Sequence, residues 1–345
     1  MKNNIKYLGI DIGGAHFKII GLDKKKSVCF SEYRKCYVWK GFKNLKKEID
    51  YINSLNLSKD IYCGITMTAE LCDNFKTKKI GAIEISKLCK KLKFNCSFYT
   101  KKKKKFSRFI EKDYEDFISM NWHSIGRYFS KNFNNVIIVD FGSTTTDFVC
   151  IKNSKIINQG FDDFTRLSKK EIFYSGIIRT PLFGLEHEIT LKKKKYQIIP
   201  EFFSNTSDIY RIYNFLEKDF DIDDEADNGK KGIVQSMIRI SRSFCIEYKK
   251  SKRNLILDLS KILIDKQINN IKLNIYNLLK KNKLDKNTPL IFTGIGKKIL
   301  EEKIKTKSVV NIGKLIKAQN KKLNNFALNN MPAYCIAQLI SDLKK

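Results

Sequence analysis

One short pattern occurs twice in this sequence, about 130 residues apart, and it limits the folds open to the chain. An apolar run at 5–10 leads into Asp-Ile-Gly-Gly at 11–14, and a second run at 135–139 leads into Asp-Phe-Gly-Ser-Thr-Thr-Thr-Asp at 140–147. Another strand-like run follows each turn. Two hairpins of the same design, with glycine-rich or hydroxyl-rich turns, predict two similarly built halves.

Strand-like and helix-like segments alternate along the rest of the chain, as judged from the period of the apolar residues. The helix-like segments are 42–55, 80–92, 114–129, 232–249 and 260–281, and the strand-like segments are 61–66, 94–99 and 288–292. Residues 156–157 and 165–174 continue as strand or turn and then a short helix, and the lysine runs at 101–105 and 192–195 read as solvated loops. Alternation around a duplicated hairpin predicts an α/β protein with a cleft between two halves.

The length of 345 residues is sufficient for two packed domains. We place the first lobe at 1–130 and the second lobe at 131–325, with an irregular insert at 181–232. A C-terminal helix at about 325–345 is expected to pack back on the first lobe.

Charge and hydropathy argue against nucleic acid and membranes as binding partners. The net charge is +31, but the basic residues are nine arginines and 58 lysines. Because arginine is the side chain that reads phosphates and bases in a bidentate manner, its scarcity argues against specific nucleic-acid binding. No apolar run approaches the roughly 20 residues that cross a bilayer, and the N-terminus lacks a signal-peptide pattern. We therefore expect a soluble, cytoplasmic protein with no membrane partner.

The nine cysteines and three histidines do not predict a structural metal site. No two cysteines have the spacing of a zinc knuckle or of a C-x-x-C redox motif, and His16, His123 and His187 are few and scattered. An odd number of cysteines without a secretory signal fits reduced thiols in the cytosol, most of them buried as small apolar side chains.

The repeated turns have the chemistry of phosphate loops. Backbone N–H groups in a tight turn form a positive nest, and glycines at 13, 14 and 142 allow a phosphate to approach closely. The hydroxyls of residues 143–146, Ser-Thr-Thr-Thr, add donors. Asp11 and Asp140 hold matching positions, and paired carboxylates at a phosphate site usually bind Mg²⁺. A single copy would be explained as an ordinary hairpin turn, but the duplication favours phosphate binding.

These motifs resemble those of the actin, sugar kinase and Hsp70-like ATPase superfamily, and within it the hydantoinase/oxoprolinase branch. The nearest subgroup is linked to tetrahydromethanopterin and methanofuran one-carbon metabolism. The motifs that carry the resemblance are Asp11–Lys18, Met67–Phe75, Asp140–Asp147, Asp163–Leu167, Tyr174–Pro181 and Glu201–Arg211. They occur in the family's order over residues 1 to about 300. The segment 223–229 matches the family's Ala-Asp-Gly stretch only loosely, so contacts there do not carry over.

The resemblance implies two actin-like (ribonuclease H-like) lobes and the activity of a methanofuran-biosynthesis synthase. Such an enzyme joins an (aminomethyl)furan-methyl diphosphate to the phenol of γ-glutamyltyramine and releases pyrophosphate. Asp11 and Asp140 would hold Mg²⁺ at the diphosphate. His16 is our candidate base and Lys18 our candidate phosphate contact, on alternate faces of the strand after the first turn. A buried core histidine is an equally good interpretation of His16.

Further candidates follow the predicted strands. Thr68, Glu70 and Asp73 come after the strand at 61–66, where substrate-facing loops begin, although a helix N-terminus explains them as well. The rare Arg166 and Arg179 suit a diphosphate or a glutamate carboxylate, or else surface ion pairs.

Two other sites are less specific. Asp208 stands among aromatic residues that suit either an aryl pocket or a helix core. In the superfamily a late glycine-rich turn lies under the adenosine, and Gly294 and Gly296 match it here, so a site for ATP or ADP stays open.

Two alternatives remain. The first is an ATP-dependent kinase or a hydantoinase-type amidohydrolase, which nucleotide-dependent turnover would favour. The second is a non-catalytic, nucleotide-gated, actin-like assembly protein, which filament formation on ATP addition would favour. The expected partners are the small-molecule diphosphate and phenolic amine substrates, and a homodimer is compatible with the sequence.

Overall fold

The computed structural model describes residues 4–102 and 105–344. Residues 1–3 of the predicted first lobe, Lys103 and Lys104 of the first lysine run, and the last residue of the predicted C-terminal helix lie outside the described residues. The strands are β1 Tyr7–Ile12, β2 His16–Leu22, β3 Val28–Lys35, β4 Tyr62–Met67, β5 Asn95–Tyr99, β6 Phe106–Ser107, β7 Val136–Phe141, β8 Thr146–Lys152, β9 Lys155–Ile156, β10 Ile172–Phe173, β11 Glu188–Leu191, β12 Lys194–Gln197 and β13 Leu290–Thr293. The α-helices are α1 Lys43–Ser54, α2 Lys78–Cys89, α3 Asn121–Phe129, α4 Asp163–Ser168, α5 Thr206–Ile212, α6 Ile233–Arg242, α7 Arg253–Lys281, α8 Lys297–Lys303, α9 Lys321–Asn329 and α10 Met331–Ser341.

The first sheet has six strands in the order β3-β2-β1-β4-β5-β6. Strands β1, β2 and β3 form an antiparallel meander, whereas β4 runs parallel to β1 and to β5. Parallel neighbours need a crossover, and α1 and α2 supply it before β4 and before β5. This mixture of hairpins and helical crossovers confirms the predicted α/β class.

The second sheet repeats the hairpin design. Four of its strands follow the order β10-β8-β7-β13. The fifth strand, β9, pairs with β8 and lies outside this order. All six residues of β7 are buried, which is expected for a strand that is covered on both faces. A separate two-stranded hairpin is formed by β11 and β12.

The chain divides into two compact units. The first unit contains the described residues of Met1–Ile138, Val149–Lys169 and Val310–Lys345, and the second contains Val139–Phe148 and Lys170–Val309. The sequence places a single boundary at about residue 130.

A close contact between β1 and α10 organises the first unit. Gly9 of β1 pairs with Gly64 of β4, and α10 packs against both strands. A Cβ atom on Gly9 would lie 2.1 Å from the carbonyl oxygen of Ala333, and a Cβ atom on Gly64 would lie 2.7 Å from Cγ2 of Ile336. Two glycines side by side therefore let the helix backbone lie directly on the sheet.

Several sequence-based assignments need correction. The helix predicted over 114–129 begins at Asn121, and a 3₁₀ helix, Glu111–Asp116, precedes it. The short helix predicted to follow residues 156–157 is α4, which begins at Asp163, and the end of the stretch 165–174 forms the strand β10. The insert at 181–232 contains the β11–β12 hairpin and α5, so it is not irregular, and the second lysine run forms the turn and first half of that hairpin's return strand. The amphipathic period misses these elements because each is too short to show one.

Within the described residues, no helix combines the length and apolarity required to span a membrane. All nine cysteines are free thiols and six of them are buried, as predicted for small apolar side chains.

The Gly9 contact gives a direct test of this packing. Gly9→Ala should lower the free energy of unfolding by about 3 kcal/mol, because the new methyl group meets rigid backbone atoms of α10 and not a mobile side chain. Urea unfolding measures the change. Gly184→Ala is the matched control, since a Cβ there lies 3.7 Å or more from its neighbours, and it should change stability by less than about 0.5 kcal/mol. Equal stabilities of the two variants would contradict the proposed packing.

Candidate functional site

The first repeated turn, called loop 1 (residues 11–16), joins β1 to β2. The Gly13 N–H donates to the His16 carbonyl oxygen at 3.0 Å, which leaves Gly14 and Ala15 at the corners of the turn. The register of the hairpin places Asp11 opposite Lys18, and Lys18 Nζ donates to Asp11 Oδ2 at 2.8 Å. An ion pair between the carboxylate of Asp11 and the ammonium group of Lys18 therefore lies at the base of loop 1.

The second turn, loop 2 (residues 140–145), has the same closure. The Gly142 N–H donates to the Thr145 carbonyl oxygen at 2.9 Å, with Ser143 and Thr144 at the corners. Asp140 takes the position of Asp11, and its Oδ1 accepts a hydrogen bond from Thr293 at 2.8 Å. The two loops thus share one backbone design, as the sequence repeat predicts.

Charge distinguishes the loops. The position that Lys18 holds after loop 1 is held after loop 2 by the buried Asp147, whose Oδ2 accepts from the Thr145 hydroxyl at 3.2 Å. Ser143, Thr144 and Thr145 are half-buried. The fourth predicted hydroxyl, that of Thr146, is buried and donates to the Ser175 carbonyl oxygen. Sequence reasoning missed Asp147, although its place in the repeat could have identified it.

The late glycine-rich turn packs on the end of β7. Gly294 has φ of +82°, and a Cβ there would lie 2.7 Å from Asp140 Oδ1. A Cβ on Gly296 would lie 2.2 Å from the ring of Phe141, and the Gly296 N–H donates to the Phe141 carbonyl oxygen at 2.9 Å. Close packing accounts for both glycines, and a nucleotide role for them stays a prediction.

The segment after β4 lies beside loop 1. The Thr68 N–H donates to the Ile12 carbonyl oxygen at 2.9 Å, and the Sγ of Cys72 lies 2.9 Å from where a Gly14 Cβ would be. Glu70 is buried, and its Oε1 accepts from the Ser119 hydroxyl at 2.7 Å. Asp73 is exposed. The helix that follows is capped by Thr77, so these three predicted residues are not its N-terminal cap.

Burial raises the pKa of Glu70 to about 7. The Ser119 hydrogen bond and the charge of Lys78 act against this shift, and the charge of Asp163 adds to it. Among the described residues, Oε2 of Glu70 has no hydrogen-bond partner. Glu70 is therefore a carboxyl group poised to change charge near neutral pH.

The structure corrects the predicted geometry of His16. His16 and Lys18 lie on the same face of β2, because residues two apart in a strand share a face. His16 is buried and stacks on Tyr33 with ring centroids 4.6 Å apart, and Tyr33 is itself the register partner of Lys18 on β3. The sequence prediction of alternate faces was wrong.

The two candidate arginines have different surroundings. Arg166 on α4 is 1% exposed, and its guanidinium lies over the ring of Trp122 at 4.5 Å, so it is not a surface ion-pair residue. Arg179 is half-buried, and its backbone N–H donates to the Ser143 carbonyl oxygen of loop 2 at 3.0 Å. Of the two arginines, Arg179 is the one whose backbone binds loop 2.

Asp208 belongs to a buried ionic cluster. Its carboxylate accepts from Arg211 at 3.0 Å and from Arg239 at 2.8 Å, and Arg239 also pairs with Glu225 at 2.7 Å. Asp221 binds the same Arg211 at 2.7 Å. These pairs neutralise the charge of Asp208, which therefore stabilises the contact of α5 with α6. The acidic stretch and the arginines were visible in the sequence, but their pairing was not.

No group of three or more His, Cys, Asp or Glu side chains that could hold a metal ion occurs among the described residues. Asp11 of loop 1 and Asp140 of loop 2 belong to different units.

Comparisons with known proteins agree with this architecture. The family model of hydantoinase/oxoprolinase matches residues 122–325, more than half of the chain, so the chain belongs to that family. It is 29% identical over 313 residues to the (4-{4-[2-(gamma-L-glutamylamino)ethyl]phenoxymethyl}furan-2-yl)methanamine synthase of Methanocaldococcus jannaschii, covering 89% of this chain and 91% of that protein. The protein of the same name from Methanococcus vannielii is 32% identical over 174 residues, which cover 49% of this chain and 74% of the relative.

One solved structure shows the same fold. The nucleotide-free acetone carboxylase structure aligns with a TM-score of 0.55 at 8% identity, over 96% of this chain and 70% of that one.

The buried Glu70 predicts a pH-dependent stability. Its folded pKa lies above the ordinary value of 4.5, so the folded chain holds this proton more tightly than the unfolded chain does. The free energy of unfolding should therefore fall as pH rises from about 4.5 to about 7, by roughly 3 kcal/mol from this group. Glu70→Gln removes that fall, so the variant should gain stability relative to wild type between pH 5 and pH 8.

Thermal and urea unfolding of both proteins across this pH range measure the difference. Glu84→Gln is the matched control, because Glu84 is half-exposed and pairs only with the neighbouring Lys87 on the same helix among the described ion pairs. If the curves of wild type and Glu70→Gln run parallel, the raised pKa is refuted.

Proposed function

We propose that this member of the hydantoinase/oxoprolinase family forms an aryl ether between a furan methylene group and a phenol. The electrophile is an (aminomethyl)furan-methyl diphosphate, the nucleophile is the phenol of γ-glutamyltyramine, and pyrophosphate is released. The observation that carries the proposal is the similarity to the Methanocaldococcus jannaschii synthase, which extends over nearly the whole of both chains. The name of that relative contains a phenoxymethyl-furan unit, which is the ether in question.

The bond changes define what the protein must do. The phenol oxygen attacks the methylene carbon, a carbon–oxygen ether bond forms, and the carbon–oxygen bond to the diphosphate breaks. The diphosphate leaves with the electron pair, and the furan ring delocalises the developing positive charge. The phenol, of pKa about 10, loses its proton to a base. The chain must therefore bind a diphosphate, stabilise its added charge and accept one proton.

The loops supply the groups that bind phosphate. In each loop one hydrogen bond closes the turn, and the corner amides, 14–15 in loop 1 and 143–144 in loop 2, belong to the type of turn that forms an anion nest. Lys18 adds a positive charge at loop 1, and the hydroxyls of loop 2 add neutral donors. The charge of Lys18 and the hydroxyls of loop 2 both favour binding of the leaving diphosphate over binding of a neutral group.

The residues of loop 1 fit a magnesium ion. Oδ1 of Asp11 is buried and has no hydrogen-bond partner among the described residues, and neither has Oγ1 of Thr66, the register partner of Asp11 on β4. A hard cation such as Mg²⁺ binds oxygen ligands, and two neighbouring oxygen atoms that no described hydrogen-bond donor occupies suit it. Asp11 and Asp140 are the proposed carboxylate ligands, and Mg²⁺ would neutralise charge on the departing diphosphate.

We also propose roles for the other side chains near the two loops. His16 ends loop 1, and imidazole is the commonest proton acceptor in enzymes, so we keep it as the base. Arg179 is the better placed of the two arginines for an anionic group of the substrate, whereas Arg166, Glu70 and Asp208 are held by buried contacts. A cytosolic location, a homodimer and a nucleotide at the late turn also remain proposals.

The direct test supplies the furan diphosphate, γ-glutamyltyramine and Mg²⁺ without ATP. Formation of pyrophosphate together with the aryl ether, detected by mass spectrometry, supports the proposal. Turnover that requires ATP, or ATP hydrolysis without an ether product, would support the kinase or amidohydrolase alternative instead.

Asp140→Asn should lower kcat/KM at least about a hundredfold, because it removes a charge worth several kcal/mol of transition-state stabilisation while keeping the shape of the side chain. The thermal midpoint should change little, since the amide oxygen still accepts from Thr293. Asp50→Asn, on the exposed face of α1, controls for loss of a carboxylate. Wild-type activity in Asp140→Asn would remove Asp140 from the mechanism.

A further inference from the structure

The carbonyl groups of loop 2 are bound by a segment that follows β10. The Ile177 N–H donates to the Gly142 carbonyl oxygen at 3.0 Å, and the N–H groups of Ile178 and Arg179 donate to the Ser143 carbonyl oxygen at 3.1 and 3.0 Å. We call residues 175–180 the supporting segment.

These contacts set the direction of the loop amides. In a trans peptide the C=O and the following N–H point in opposite directions. Because the carbonyl groups of Gly142 and Ser143 face the supporting segment, the N–H groups of Ser143 and Thr144 point away from it. Those are the two corner amides that the proposed function assigns to the diphosphate. The supporting segment therefore determines where loop 2 can bind an anion.

Two buried side chains hold the supporting segment. Gln267 of α7 donates from Nε2 to the Ser175 Oγ at 2.7 Å and to the Gly176 carbonyl oxygen at 3.0 Å. Thr206 at the start of α5 donates to the same Gly176 carbonyl at 2.9 Å and accepts from the Thr180 N–H at 3.3 Å. Both Gln267 and Thr206 are fully buried.

The orientation of Gln267 is itself fixed. Its Oε1 accepts from the hydroxyl of Tyr210 at 2.7 Å, so its Nε2 is the atom that faces the supporting segment. At the other side, Gly176 approaches loop 2 so closely that a Cβ there would lie 2.2 Å from the Ser143 carbonyl oxygen. The segment is thus fixed between loop 2 and the two helices.

We infer that Gln267 and Thr206 are positioning residues for loop 2: through the Gly176 carbonyl they hold the supporting segment that aims the Ser143 and Thr144 amides at a phosphate. The inference rests on the proposed function for the identity of the anion, and on the contacts above for the direction of the amides. Neither residue touches the substrate.

The test compares five variants. Gln267→Leu and Thr206→Val each remove hydrogen bonds to the segment at nearly constant volume, and Thr206→Ser keeps the hydroxyl. Ser260→Ala is the matched control, because Ser260 is also buried on α7 but donates only to Ile256 of its own helix among the described bonds. Tyr210→Phe removes the hydrogen bond that fixes the orientation of Gln267; if Gln267→Leu does not fold, Tyr210→Phe takes its place and should show the same faster exchange.

The first readout is hydrogen exchange, which needs no ligand. In Gln267→Leu and Thr206→Val the amides at 177–179 and in loop 2 should exchange at least about tenfold faster, whereas loop 1 stays unchanged. Thr206→Ser should stay near wild type, and so should Ser260→Ala. Unchanged exchange in loop 2, or equal acceleration in loop 1, overturns the inference.

The second readout is binding of inorganic pyrophosphate with Mg²⁺, measured by calorimetry. Gln267→Leu and Thr206→Val should bind about tenfold more weakly, with recovery in Thr206→Ser. In turnover, KM for the diphosphate should rise more than KM for the phenol. Wild-type affinity in both variants overturns the inference. Absence of pyrophosphate binding by the wild type contradicts the proposed function alone, and exchange then decides the inference.

Discussion

One short backbone hydrogen bond closes each of the two loops, and the rest of the candidate site depends on it. From Gly13 to His16 and from Gly142 to Thr145, the N–H of the first residue is bonded to the carbonyl group three residues later. The bond fixes a four-residue turn and uses none of the corner amides. The corners can therefore differ in sequence, Gly-Ala in one loop and Ser-Thr in the other, while the closing hydrogen bond is the same.

The two loops are supported by different physical means. Loop 1 has an ion pair between Asp11 and Lys18 and a backbone bond from Thr68, so charge stabilises part of its structure. The backbone of loop 2 is held by neutral N–H groups of the supporting segment, which Gln267 and Thr206 hold in turn. The carboxylates within and just after loop 2 accept hydrogen bonds from threonine hydroxyls and not from an ammonium group among the described bonds. Neutral buried hydrogen bonds are insensitive to salt and pH, whereas the partly exposed ion pair is not. Changes in ionic strength should therefore affect the two loops unequally.

Local patterns account for what the sequence could predict. The repeat, the turn residues and the strands that carry the loops depend on neighbours along the chain, and they are present in the structure. Pairing between distant residues could not be read in the same way: Glu70 with Ser119, Asp208 with Arg239, and Gln267 with Gly176 are each joined only by the fold. Asp208 was assigned to a substrate because its partner Arg239, on another helix, lies 31 residues away in sequence.

Some features were misread although the signal was local. The error for His16 and Lys18 came from the strand period itself, since residues two apart share a face. The short elements between 181 and 232 lack a long amphipathic period, so composition suggested an irregular insert where a hairpin and a helix occur.

The glycine contact between β1 and α10 bears on the order in which the first unit can assemble. More than 300 residues separate the two elements, and the helix covers the sheet face that Gly9 and Gly64 leave flat. While the chain emerges from the ribosome, that apolar face stays uncovered until α10 has been made. The early strands must then persist next to water or next to a chaperone, and covering of the sheet by α10 becomes a late, non-local step that slows the maturation of the whole polypeptide.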